Sequence, residues 1–369
     1  MAEVDKAIDP EEQIELQVRN RDKSMDIEVD VTEEDPELDS FEELEDGTIA
    51  FGSMPAPILD TDFSANLADL MDDSELNVLK NDLMDNVDAD KDSRSEWENT
   101  YRDGLEFLGM KTEERAQPFE GASGVMHPLL AESVTQFQAQ AYNELLPSQG
   151  PVKTQVLGMT TPDSEAQASR VQEFMNYQLM QVMKEYDPEM DQMLFYLPLS
   201  GSAFRKIYYD QNMGRAVSKF IPSEDLIVPY AATDLHSATR ITHVINMSIN
   251  DIKKLQQIGF YSDVNVDSGN MLAEDTDDIQ EEIDQIQGIS PSYNDDDTCK
   301  VYEIHTELDI PGFEDLNAQG EETGIKLPYI VTIANDKVLS VRRNYREDDP
   351  LKQRINYFVH YKFLPGLGF

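Results

Sequence analysis

Residues 117–158 read QPFEGASGVMHPLLAESVTQFQAQAYNELLPSQGPVKTQVLG. Pro118 and the small residues Gly121, Ala122, Ser123 and Gly124 make a loop that His127-Pro128 closes. Apolar residues then recur at Leu130, Val134, Phe137, Ala141 and Leu145, in steps of three or four. That spacing predicts a helix with one buried face. Pro147 and Gly150-Pro151 stop it, and Val152 to Val156 alternates like a short strand. Loop, buried helix, sharp stop and strand is the pattern around which the rest is arranged.

The chain has 369 residues and a formal net charge of −45. The charge is uneven: residues 1–100 hold 32 acids and 7 bases, and residues 263–323 hold 19 acids and 1 base. The remainder, 23 acids against 21 bases, is close to neutral. A near-neutral body with two acidic segments follows, and such segments stay solvated and repel nucleic acid. A protein built to grip DNA phosphates is expected to be basic. The one cysteine, Cys299, excludes an intrachain disulfide. The N-terminus MAEVDKAIDPEE has neither the basic nor the apolar region of a signal peptide, and no run of about 20 apolar residues is present to span a bilayer.

Residues 1–94 read as an acidic, partly disordered N-terminal region. Within it, residues 66–87 carry a helical stripe of Leu67, Leu70, Met71, Leu76, Leu79, Leu83 and Val87. Asp88, Asp90 and Asp92 invite a calcium reading, but the sixth and twelfth positions of an EF-hand loop are Ser93 and Asn99 here. A solvated linker is the expectation instead. Ser95-x-x-Glu98 fits a capping box, opening a helix with Trp97, Tyr101, Leu105 and Leu108 on one face and Gly109 as its stop.

Residues 95–262 are expected to form helices and then a β-hairpin. Ser123 and His127 suit a nucleophile and base, yet no orienting acid is implied nearby and Pro128 makes His127 a turn residue. The Gly121–Gly124 loop lacks the ending of a phosphate-binding loop. Residues 163–186 predict a long helix, its stripe of Val171, Phe174, Met175, Leu179, Val182, Met183 and Tyr186 reading as core or a helix–helix seam. Asp187-Pro188 breaks it before a short helix that runs to Pro198. Ala203 to Tyr209 and Ala216 to Ile221 read as a hairpin. Its Arg205, Lys206, Arg215 and Lys219, with Tyr208 and Tyr209, form the nearest thing to a basic aromatic patch, expected to serve solubility rather than nucleic acid. Ala238 to Met247 is a strand, and Ser248 or Asn250 caps a short helix closed by Gly259.

Residues 263–297 read as an acidic insertion, with Ile279, Ile283 and Ile286 spaced as one helix face. Residues 298–369 are β-rich: a strand from Val301 to Asp309, a hairpin turning at Asn335 to Lys337, and a last strand-like run from Tyr357 to Phe363. The ending LPGLGF leaves Leu367 and Phe369 uncovered, so the chain reads as a piece of something longer. Five histidines, one cysteine and no metal-ligand spacing point away from a zinc site.

Several of these stretches, taken in order, resemble a known family. They are Trp97, Tyr101 and Gly104, then PFEGASGVMHPLLAESVTQFQAQAYNELLP, GPVKTQVLG, LPLSGSAFRKIYYD, FIPSEDLIVPYAATDL, ATRITH, LPYIVTI, RRNY and FVHYKFLPGLGF. Together they are similar to the N-terminal portion of the portal proteins of tailed bacteriophages, the head-to-tail connectors. The resemblance spans residues 95–369 and covers 1–94 and 263–297 poorly.

The resemblance implies an α+β fold: a helix-rich wing-like body with antiparallel β-hairpins, behind an acidic flexible N-terminal region. Residues 95–262 would be the first part of the wing and 298–369 a β-rich wing segment running toward the stem, with stem, clip and crown beyond the end of the chain. It implies a homo-oligomeric ring of twelve subunits at the capsid vertex of the virion, assembled in the host cytoplasm. Its partners would be the terminase large subunit, the major capsid protein and tail or adaptor proteins. Double-stranded DNA would pass through without sequence-specific binding, and no catalytic, cofactor-binding or metal residue is implied. Physics accords with this, because each phosphate contact strengthens DNA binding and a basic lining would act as a brake. The competing expectation is an acidic protein-interaction or DNA-mimic module that forms no ring.

Overall fold

A computed structural model describes residues 62–108, 119, 128–210, 213–266, 298–316 and 320–364. Among them run helices α1 (Asp73–Ser93), α2 (Ser95–Leu108), α3 (Leu129–Leu145), α4 (Pro162–Tyr177) and α5 (Tyr186–Ser200). Strands β1 (Ser202–Asp210), β2 (Arg215–Ile221), β3 (Leu226–Ile227) and β4 (Arg240–Ser248) follow, then helix α6 (Ile249–Gln257). The last strands are β5 (Thr298–Leu308), β6 (Leu327–Ala334), β7 (Lys337–Arg343) and β8 (Phe358–Lys362). The fold is α+β, with two wholly antiparallel sheets in the orders β2-β1-β8 and β3-β4-β5-β6-β7.

The five-stranded sheet is covered on both faces. On one, Leu83 and Val87 of α1, with Leu67 before it, pack on Ile304, Val331, Ile333 and Val341. On the other, Ile252 of α6, with Tyr261 and Val266, packs on Cys299, Val301, Ala334 and Leu339. Residues 62–94 therefore belong to the body and not to a separate acidic region. The predicted stripe over 66–87 is two elements, a 3-10 turn (Leu67–Asp69) and α1, divided at Asp72, whose carboxylate and Glu75 form a capping box.

The expected linker at Asp88 to Asp92 is the end of α1. Asp90 is buried there because Arg240 of β4 meets it at 2.7 Å. Arg94 alone separates α1 from α2. Its guanidinium donates to Glu98 at 2.6 Å and to the carbonyls of Ser223, Glu224 and Leu226. Glu98 is thus engaged by Arg94, and α2 runs on from α1 without the predicted Ser95 cap.

Helix α5 is the centre of the second core. Its Met190, Met193, Leu194 and Leu197 are buried between α3 (Phe137, Ala141, Tyr142) and the three-stranded sheet (Ala203, Phe220, Tyr361). Leu146, the residue after α3, enters this core, whereas Leu145 stays exposed. Asp187-Pro188 does not break a helix; it lies in the first turn of α5, where the missing proline N–H costs nothing. The break comes earlier, at a π turn (Gln178–Val182) in which Met183 N donates to Gln178 O. Helix α5 continues through Pro198 to Ser200 and ends at Gly201, whose φ of 79° takes the left-handed C-cap conformation.

The strand expected at Val152 to Val156 is an extended segment without a strand partner. Side chains of α4 satisfy its backbone instead. Asn176 accepts from Val152 N and donates to Val152 O, while Gln172 accepts from Thr154 N. The hairpin turn at Asn335 and Asp336 has φ of 43° and 62°, the two positive values of a type I′ turn. Ser248 caps α6 by accepting from Asp251 N.

Candidate functional site

Two features stand apart from ordinary packing: an uncovered helix and a charge cluster between the sheets.

Helix α4 is a well-made element. Thr161 and Ser164 close a capping box with Pro162 at the first helical position, which fixes the start. The extended segment lies along its Ala168, Gln172 and Asn176 side, where Thr154 Oγ1 also donates to Ala168 O. Yet α4 buries no residue. Its apolar positions face solvent, Phe174 at 62 % exposure and Val171 and Met175 at 44 % and 45 %. Leu157 and Met159 on the loop before it are exposed as well. The first part of the stripe expected to be core or a seam, at Val171, Phe174 and Met175, is thus uncovered within the described residues. Leu179, Val182 and Met183 are instead half-buried, and Tyr186 packs on the α5 core. Water against the exposed part carries a hydrophobic cost that a partner would remove.

The charge cluster joins β1 to the five-stranded sheet. Lys206 Nζ meets both carboxylate oxygens of Glu303, at 2.5 and 2.6 Å. Glu303 Oε1 also lies 2.7 Å from His305 Nε2, and Asn344 Nδ2 sits 3.5 Å from His305 Nδ1. These contacts suit a neutral imidazole that donates from Nε2 and accepts at Nδ1. Burial would raise the Glu303 pKa, but the Lys206 charge and the His305 bond outweigh it and hold the carboxyl well below the usual range. Burial lowers the His305 pKa against the pull of Glu303. His243, paired across strands with Glu303, is pushed down to about 3 by burial and then by Lys206. Phe358 packs between both imidazoles, 5.0 Å from His305 and 5.9 Å from His243.

This cluster is a closed ionic bond between the sheets. Lys206 is occupied by a full carboxylate, and Glu303 has accepted two partners. The hairpin bases read as solvated charges are mostly internal. Arg205 is 1 % exposed, its guanidinium 4.5 Å from the Tyr186 ring centre, and Arg215 pairs with Glu185 at 2.6 Å. Lys219 alone of the four is exposed. Sequence reasoning missed Glu303 and His305, whose only signal is an i, i+2 spacing on one face of a strand.

Ser123, His127 and the Gly121–Gly124 loop lie outside the described residues, as do Gly109, Ile279, Ile283, Ile286 and residues 365–369. Among the described residues no group of three His, Cys, Asp or Glu is placed to hold a metal ion, and no helix is long and apolar enough to cross a membrane. An open groove on α6, lined by Asn250, Lys253, Lys254, Gln257 and Ile258, is shallow. Comparison with known protein families and with curated proteins finds no match to this chain.

Proposed function

We propose that this chain is a structural, non-enzymatic subunit of a tailed-phage portal, a ring through which double-stranded DNA is packaged and ejected. One observation carries the reading: α4 is capped, ordered by its own loop and yet without a buried residue, so its apolar face is built for a neighbour. A monomer gains nothing from Phe174 in water, whereas a ring subunit must present unlike faces to its two neighbours. The ordered string of portal-like segments supplies the choice among assemblies. The acidic excess, which residues 62–94 bring into the body itself, keeps passing DNA from sticking.

In this role the subunit would join others, twelve by the resemblance, at the capsid vertex. The terminase large subunit, the major capsid protein and tail or adaptor proteins would attach to the ring. The inter-sheet charge cluster stiffens the subunit and performs no chemistry.

Negative-stain images and particle masses of the chain, and of virions that carry it, test the proposal. Rings with cyclic symmetry are the expected result. Monomers at every concentration, together with virions whose vertex lacks the chain, would overturn it in favour of the acidic binding module.

A further inference from the structure

We infer that residues 150–177, the extended segment together with α4, turn as one arm on two hinges, at Pro147 to Gln149 and at the π turn, while α3 and α5 stay fixed in the core. The inference goes beyond the ring reading and does not depend on it.

The arm is stitched to itself. Asn176 holds Val152 by both its N–H and its carbonyl, at 2.9 and 3.1 Å. Thr154 donates its N–H to Gln172 at 3.2 Å and its hydroxyl to Ala168 O at 2.9 Å. Gly150, with φ of 94°, lies so close under Asn176 that a Cβ there would collide with the carboxamide. Thr161 and Ser164 close the far end of the loop. Among the described residues, every hydrogen bond from an α4 side chain ends within α4 or at residues 152–161.

The core grips the chain on either side of this arm. Before it, Leu146 is buried against α5, Tyr142 Oη donates to Asp187 at 2.6 Å, and Gln138 Nε2 donates to Asp191 Oδ1 at 2.8 Å. After it, Met180 and Tyr186 pack on the same core. Between these anchors α4 buries no residue. A segment with little burial, whose bonds are made to itself, separates from its body at small cost.

Both joints suit a hinge, where a few residues at the ends of elements absorb the backbone change. The first is a turn in which Gly150 N donates to Pro147 O at 2.8 Å. The second is the π turn, closed by the bond from Met183 N to Gln178 O, after which Met183 leaves the helix with φ −86° and ψ 79°. Such turns inside helices collect at functional sites. Rotation at these joints carries Val171, Phe174 and Met175 along without breaking a bond of α4. The device so built is a helix whose apolar face is re-aimed without unfolding.

Pulsed electron resonance between spin labels on the whole chain tests this. Cys299 is buried, so labels go to introduced cysteines, and dilution with unlabelled chain restricts the distances to one copy. Three pairs are needed, all at positions whose side chains are exposed: Gln155→Cys with Phe174→Cys within the arm, Glu144→Cys with Ile207→Cys within the body, and Phe174→Cys with Ile207→Cys between them. The first two should give narrow distance distributions and the third one about twice as wide or more. Asn176→Ala should widen the first pair and leave the body pair unchanged. A third distribution as narrow as the body pair would mean a fixed helix and overturn the inference. A wide first distribution in the parent, or a narrow one in Asn176→Ala, would mean that the stitching does not make the arm a unit.

Trypsin gives a check that needs no substitution. Lys153, Arg170 and Lys184 are all exposed, but only Lys184 lies at a hinge. Cleavage after Lys184 should run about tenfold faster than after the other two. Equal rates at all three would overturn the hinge.

Discussion

Asn66 completes the free edge of β7 by bonding to Val341. Its Oδ1 accepts from Val341 N at 2.9 Å, and its Nδ2 donates to Leu339 O at 3.1 Å and to Ser262 Oγ at 2.9 Å. One buried amide does what a sixth strand would do, and it also accepts from Ala68 N to start the 3-10 turn. An open sheet edge invites pairing with another chain, so the substitution of a side chain for a strand also protects the monomer.

Asn66→Ala is therefore expected to destabilise the fold by about 2–3 kcal/mol, the cost of stranding buried backbone groups. Urea unfolding followed by fluorescence of Trp97 measures it. Asn66→Asp keeps an acceptor for Val341 N and Ala68 N but buries a carboxylate facing Leu339 O, so it should recover only part of the loss. A change below about 0.5 kcal/mol in the alanine form would show that water replaces the amide.

The bond between Lys206 and Glu303 predicts an asymmetric response. Lys206→Met leaves a largely buried carboxylate without its cation, at a cost of about 3–5 kcal/mol. Adding Glu303→Gln to that form removes the uncompensated charge and should restore a large part of the loss. Equal stability of the single and double forms, read from urea midpoints, would contradict the pairing.

Acid should loosen the seam between the sheets. Burial and Lys206 hold His243 at about 3, and burial and Lys362 hold His360 at about 4, both under the ordinary value of 6.5. The unfolded chain then takes up protons first as the pH falls. The contribution is whole above about pH 6.5 and drains away down to pH 4 for His360 and pH 3 for His243. Urea midpoints between pH 8 and pH 4 should decline more gently in His243→Gln than in the parent. Parallel curves would remove His243 from the cause.

Local chemistry was legible in the sequence and long-range pairing was not. The helix at 129–145, the hairpins and the Ser248 cap follow from spacing and turn residues, which act within a few positions. The face of α4 was legible as apolar, but periodicity says only that a partner is wanted, not that it lies in the same chain. Lys206 and Glu303 stand 97 residues apart, so a charge in a strand looked like a solvated one. Val152 to Val156 alternates as a strand does, yet helix side chains, invisible to a pattern of period two, take its hydrogen bonds. Where the candidate site was misread, in the hairpin bases, the cause is the same tertiary pairing.

The turn between β6 and β7 offers a gain in stability rather than a loss. Asn335 and Asp336 both hold positive φ, and of the two central positions of a type I′ turn the second favours glycine most. Asp336 carries a Cβ into a conformation that costs L-residues about 1 kcal/mol. In return its side chain pairs with Lys80 at 3.5 Å, but it is 87 % exposed, and such pairs contribute little. Asp336→Gly should therefore stabilise the chain by about 0.5–1 kcal/mol, less the entropy that glycine adds to the unfolded state. A raised thermal midpoint with an unchanged urea m-value is the expected signature. A lowered midpoint would mean that the Lys80 pair, which ties α1 to the hairpin tip, outweighs the backbone strain.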